Sequence, residues 1–238
     1  MRKKVNKLIN KIFIKKLERE PKVFCLSMQR SGTTSVGQFF KDHNFRWSGW
    51  GDDKRNNWAQ SWFKGEFDAI FNSEDFRLAN AYEDSPWWFP KFYEEIYRRF
   101  PDSKFILLKR DPSKWYKSML LHSLGNVIGA VNTHCKIYKR EDELERLISA
   151  GTSHEELTKL SGKKVMKMEG MENHYVKCYN KYYEEVRSFF KQTAPDALFV
   201  GQLEDDEKWA KIGHFLDIKV DESYDSHKNH NRSKFANK

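Results

Sequence analysis

A chain of 238 residues that is 39% hydrophobic and 15% aromatic has the apolar surface for one folded domain and is too rich in large side chains to be disordered. Its net charge of +9 points to an anionic partner (a nucleotide, a nucleic acid, an acidic glycan or a membrane surface) without choosing among them. Three widely spaced cysteines, Cys25, Cys135 and Cys178, form no CxxC pair or Cys/His cluster, which excludes a zinc module and fits reduced thiols in a cytoplasmic-type compartment.

Residues 1–20 carry Leu8, Ile9, Ile12, Phe13 and Leu17 at helical spacing with lysines on the other face, which predicts a basic amphipathic helix. Such a helix suits packing onto the domain, or a weak contact with a membrane surface. No run reaches the ~20 apolar residues of a membrane span, and the start lacks the apolar core and cleavage site of a signal peptide. Pro21 ends the helix, and no composition shift divides residues 21–238.

Val23–Met28 reads as a buried strand, Gln29–Gly32 as a loop, and Thr33 to about His43 as a helix. Residues 44–75, rich in Trp, Gly and Asp, predict loops with one short helix. A second strand is expected within Phe76–Glu83 and a helix over Phe89–Phe100. Lys104–Lys109 (KFILLK) is the clearest buried strand, and Asp111-Pro112 then offers an N-cap with proline at the first helical position. That helix should run through Met119. Residues 130–190 look mainly helical, with breaks near Gly151 and at Ser161-Gly162. Ala197–Gln202 reads as a last strand, followed by a helix through Phe215. His227–Lys234 is a basic end, suited to closing over a phosphate or to a solvated tail.

The segment Ser27-Met28-Gln29-Arg30-Ser31-Gly32-Thr33-Thr34-Ser35 joins strand to helix. Gly32 lets the backbone turn closely around an anion. The amides of Ser31 to Thr34 would face that anion from a helix N-terminus, where the dipole favours negative charge. Arg30 adds a permanent, two-pronged cation, and the threonines add hydroxyl donors. These features predict an α/β, P-loop-like three-layer fold with a central, mainly parallel sheet flanked by helices. The loop of a nucleotide kinase would need Gly in place of Ser27 and Lys in place of Thr33. The later strand also runs into Arg110 rather than an acidic Mg²⁺ ligand. A metal-free phosphosulfate suits the pattern better than ATP. An atypical P-loop kinase stays as one alternative, and a non-enzymatic polyanion-binding protein as another, although no nucleic-acid motif supports the latter.

Ser118 lies about two turns into the helix that follows Arg110, so a guanidinium and a hydroxyl can converge on one phosphate. Equally, Arg110 could pair with Asp111 and leave Ser118 as an ordinary helix serine. Tyr82-Glu83-Asp84-Ser85-Pro86-Trp87-Trp88 sets two acids ahead of a proline and two indoles. A carboxylate beside apolar rings has its pKa raised and is the better base, while either acid could also cap a helix.

These residues resemble the sulfotransferases that use 3′-phosphoadenosine 5′-phosphosulfate (PAPS), in their bacterial and Golgi-like branch. RSGTTS looks like the family's 5′-phosphosulfate loop. PDSKFILLKRDPSKWYKSM resembles the strand-end Arg and later Ser that grip the donor's 3′-phosphate. EDSPWWF resembles the Glu-x-Ser-Pro/Ala-x-aromatic block that carries the proposed base. The resemblance implies transfer of a sulfuryl group from PAPS to a hydroxyl or amine of a small-molecule or glycan acceptor, with no metal and no nucleic-acid partner. Carried over residue by residue, Arg30, Ser31, Gly32, Thr33, Thr34 and Ser35 hold the phosphosulfate, and Arg110 and Ser118 hold the 3′-phosphate. Glu83 is the base, Asp84 is the alternative, and Arg30 also neutralises charge during transfer. Ser35 stands where many relatives stack a Trp on adenine, and Trp47 and Trp50 are the substitutes at hand. Residues 44–75 and 123–194 match nothing in the family pattern, so the acceptor stays open.

Overall fold

The computed structural model describes residues 17, 20–153, 155–156 and 166–226. The expected N-terminal helix (apart from buried Leu17), the Ser161-Gly162 break and the basic tail lie outside the described residues.

Five parallel strands form one sheet in the order β2-β3-β1-β4-β5. They are β1 (Val23–Cys25), β2 (Trp47–Ser48), β3 (Ala81–Tyr82), β4 (Lys104–Lys109) and β5 (Leu198–Gln202). Alternate residues of the central strands feed two cores, as the two-residue period of a strand requires. Phe24, Phe105 and Leu107 pack on one face, and Val23, Cys25, Ile106 and Leu108 on the other. Helices cover both faces, so the strands read as apolar runs instead of alternating.

β1 is shorter than the apolar run Val23–Met28 that announces it. Leu26 and Met28 stay buried, but the chain is already leaving the ladder. The Leu108 amide donates to the Ser27 hydroxyl oxygen at 2.8 Å, so a side chain supplies the partner that a continued strand would have given. The helix after the loop, α1 (Thr33–Asp42), is as expected.

Residues 44–75 depart most from expectation. They hold strand β2 and four short helices: α2 (Trp50–Asn56), α3 (Trp58–Lys64), α4 (Phe67–Phe71) and α5 (Glu74–Leu78). Each is one or two turns long, too short to show a helical period. Asn57 and Gly65, with φ of 57° and 78°, punctuate them. What holds them is burial of Trp58, Trp62, Ile70, Phe71 and Phe76 in the larger core. The expected strand Phe76–Glu83 is accordingly split: Phe76 to Leu78 finish α5, and only Ala81–Tyr82 pair with β1 and β2.

α6 (Phe92–Arg99) starts later than expected, because Lys91 before it takes a φ of 64°. α7 (Pro112–Ser123) has Asp111 as its cap, accepting from the Lys114 amide at 2.8 Å, and continues a turn beyond Met119. α8 (Val131–Tyr138), α9 (Glu141–Ser149) and the 22-residue α10 (Glu172–Thr193) fill the region read as helical, with the break at Gly151 as expected. α11 (Lys208–Phe215) follows β5. Among the described residues no helix is long and apolar enough to cross a membrane.

From central β1 the chain first builds one side of the sheet and then crosses to β4 on the other. A crevice opens at such a reversal, beyond the carboxyl ends of the strands. The loops leaving β1, β3 and β4 carry Arg30, Ser31, Gly32, Glu83, Asp84 and Arg110, while Thr33, Thr34 and Ser35 open α1 and Ser118 sits on α7.

Candidate active site

The loop after β1 is a tight, braced turn. Arg30 and Gly32 take φ values of 67° and 87°. A Cβ on Gly32 would lie 2.4 Å from Leu203 Cδ1, so both conformation and space require glycine there. The Ser31 amide donates back to Met28 O at 3.0 Å, and the Ser35 and Val36 amides donate to Gly32 O. Thr33 and Thr34 therefore carry the leading amides of α1, and of the expected set, Ser31 to Thr34, the Ser31 amide is already spent on Met28 O.

Two guanidinium groups converge on this turn. Arg30 Nε donates to Ser118 Oγ at 3.1 Å, and Arg110 Nη1 donates to Arg30 O at 3.2 Å. Burial, and then the charge of Arg110, pull the pKa of Arg30 down, which is the signature of cations crowded together. Arg110 Nε is buried without a hydrogen bond, its nearest acid being Glu204 at 3.9 Å. Two crowded cations, one of them with a buried Nε that makes no hydrogen bond, have the charge and donors that suit an anion.

Sequence reasoning missed what braces these anchors. Tyr179, on α10, has its hydroxyl 3.1 Å from Ser31 Oγ and accepts from the Arg110 amide at 2.8 Å. Trp115 donates to Gln29 O at 2.9 Å. The hydroxyl of Ser31 thus faces inward, and Ser31 and Ser118 do not line the cavity, whereas Arg30, Gly32, Thr33, Thr34, Ser35 and Arg110 do.

The acids follow β3. Glu83 is buried at 4% exposure, and its Oε2 makes no hydrogen bond. Its carboxylate sits in a slot made by two missing side chains. A Cβ on Gly37 would come 2.9 Å from Glu83 Cγ, and one on Gly49 would come 2.4 Å from Glu83 Oε1. The ring of Trp47 closes the slot, with Lys41 Nζ 3.9 Å from its centroid. Burial, and after it the charge of Asp84, push the pKa of Glu83 well above the ordinary carboxylate range, while Lys41 and the Trp47 indole pull against them.

Asp84 adopts a φ of 67°, and its Oδ1 accepts from the Ser85 amide at 2.8 Å. Burial raises its pKa too, opposed by the Ser85 amide, the Trp88 indole and Arg30. A third acid, Asp53 on α2, had no signal in sequence. It accepts from the Ala59 amide at 2.7 Å and from the Ser85 hydroxyl, and burial raises its pKa to about 6.

Glu83, Asp84 and Asp53 line the same cavity of about 1220 Å³ as the phosphate loop, with both Trp47 and Trp50. One concavity is thus lined both by the crowded guanidinium groups of Arg30 and Arg110 and by the buried carboxylates of Glu83 and Asp84, an arrangement that suits a group transfer between two substrates.

The family model for the sulfotransferase domain matches residues 22–234, and the chain belongs to that family. Among solved structures it is similar to a sulfotransferase from Alicyclobacillus acidocaldarius, at 14% identity over 87% of each chain, with a TM-score of 0.44. It is also similar to the sulfotransferase domain from the curacin biosynthetic pathway, at 15% identity over 85% of this chain and 76% of that one, with a TM-score of 0.47. No curated protein matches it. The protein is a transferase of the sulfotransferase class.

Proposed function

We propose that this enzyme transfers a sulfuryl group from PAPS to a hydroxyl or amine of a small-molecule or glycan acceptor, with Glu83 as the base. The observation that carries this reading is the shared cavity: crowded guanidinium groups and a buried carboxylate whose Oε2 makes no hydrogen bond line one space. The family's usual donor is an anion at both ends, and the unsatisfied Arg110 Nε fits such a ligand.

Arg30, the turn at Gly32 and the leading amides of Thr33 and Thr34 hold the phosphosulfate end. Arg110 holds the 3′-phosphate end, and Ser118 fixes the Arg30 guanidinium from behind. Glu83 takes the acceptor's proton as the acceptor atom bonds sulfur. Arg30 and the α1 amides then meet the charge that develops on the leaving phosphate. Because burial and Asp84 disfavour ionised Glu83, its carboxylate is a stronger base than a surface acid once the proton is lost. The unpaired cysteines support a reducing, cytoplasmic-type compartment.

Glu83→Gln tests the assignment. Conversion of PAPS to 3′-phosphoadenosine 5′-phosphate should fall by about a hundredfold or more, with binding of that bisphosphate unchanged. Near-normal turnover would contradict the role given to Glu83.

A further inference from the structure

Trp50 is the one aromatic among the large hydrophobic side chains left exposed in the described residues, at 58%. It opens α2 and lines the cavity. The residue before it borders the base: a Cβ on Gly49 would lie 2.4 Å from Glu83 Oε1. The residue after it, Gly51, faces open space, with nothing within 4 Å of a Cβ built there. Lys54, one turn on, sets its Nζ 5.4 Å from the centroid of the Trp50 ring. With a cation over one face, so high an exposure leaves the other face of the indole open.

Charge beside this ring is unbalanced. The acids of α2 are spent on the protein: Asp52 on Arg55 and the Gly49 amide, and Asp53 on the Ala59 amide and the Ser85 hydroxyl. Lys54 and the α1 residue Lys41 are exposed and line the same cavity. Each ammonium lies against an indole, and neither makes an ion pair among the described residues. A flat apolar face beside unpaired ammonium groups suits a ring that carries an anionic group. An aryl ring would want apolar cover on its edge as well, whereas the lining next to Trp50 is Gly51, Lys54 and Asn57. A pyranose has apolar C–H faces and hydroxyls around its edge, and those hydroxyls find partners in polar surroundings.

We infer that the acceptor is an acidic sugar, a pyranose bearing a carboxylate, stacked on Trp50 with the carboxylate held by Lys54. Lys41 adds to the attraction, and the sugar's hydroxyl edge is turned toward Glu83. The inference rests on the sulfuryl-transfer reading and names the class of its acceptor.

The test is saturation-transfer NMR on the full-length protein, with and without 3′-phosphoadenosine 5′-phosphate. The probes are methyl β-D-glucuronide and methyl β-D-glucoside, which differ only in a carboxylate against a hydroxymethyl group. The glucuronide should bind about fivefold more tightly, the upper worth of an exposed ion pair. That preference should vanish in Lys54→Met and fade in about 0.5 M salt. Trp50→Ala should weaken both sugars about tenfold, through loss of the stacking face. Both side chains are exposed, and an unchanged unfolding midpoint shows that the variants are folded. Equal or absent binding of the two sugars overturns the inference, as does a preference that survives Lys54→Met or an affinity that Trp50→Ala leaves unmoved. Benzoate binding as tightly as the glucuronide would also overturn it, by making the ring a platform for aryl acids. A wild type that does not bind the bisphosphate would instead sink the donor reading, and the sugar comparison on the free protein would still decide the acceptor.

Discussion

At the phosphate-loop end of the cavity, protein partners tie the turn down from several sides. Gln29 O is held by Trp115, Arg30 O by Arg110, Arg30 Nε by Ser118, and Ser31 by Tyr179. At the carboxylate end the reverse holds: Glu83 Oε2 and the indole nitrogens of Trp47 and Trp88 are buried and unmet. The first is built on β1, β4 and long α10, while the second leans on the two-residue strands β2 and β3 and on seven-residue α2. A site whose donor is the same in every turnover gains from a rigid, pre-satisfied frame.

The contrast can be broken most severely through Gly37. Gly→Ala inside a helix normally gains up to about 1 kcal/mol. Here the new methyl would lie 2.7 Å from Trp47 Nε1 and 2.9 Å from Glu83 Cγ, and overpacking of that kind costs about 1–3 kcal/mol. The clash wins, so Gly37→Ala should lower the unfolding midpoint and cut turnover by about a hundredfold, as loss of the base does. A stable, active variant would show that the slot does not hold the carboxylate.

Asp84→Asn sharpens the comparison at the same end. The negative charge of Asp84 is the second cause, after burial, of the raised pKa of Glu83. Removing it lowers that pKa, so Glu83 ionises at lower pH and the rising limb of the pH–rate profile should move toward acid. An unmoved limb would mean that the limb reports a group other than Glu83.

Tyr179→Phe probes the braced end and should have the smallest effect. It removes the hydroxyl that Arg110 N and Ser31 Oγ share, for a loss of about 1–3 kcal/mol in denaturant stability. The Glu83 limb of the pH profile should not move, because Tyr179 is not among the groups that shift Glu83.

The braced end was also the legible one. Arg30, Gly32, Thr33 and Thr34 announce themselves because a phosphate turn is made of neighbours in sequence, and Arg110 because it follows an unmistakable strand. Glu83 was legible as an acid before a proline and two indoles. Its slot was not, since Gly37, Gly49 and Trp47 meet it only in the folded chain. Tyr179 and Asp53 were invisible for the same reason: each acts through a hydroxyl or amide far away in sequence, inside helices whose local pattern says nothing of it. The helices of residues 50–78 escaped because one- and two-turn elements are fixed by tertiary burial of Trp58, Trp62 and Phe71, which leaves too few residues for a period.

The most direct test is calorimetric titration of 3′-phosphoadenosine 5′-phosphate into wild type and Arg110→Ala, beside ATP–Mg²⁺. The expected result is tight binding of the bisphosphate to wild type, its loss in the variant, and no comparable binding of ATP. A wild type that ignores the bisphosphate, or prefers ATP–Mg²⁺, would contradict the assignment of this cavity to a phosphosulfate donor.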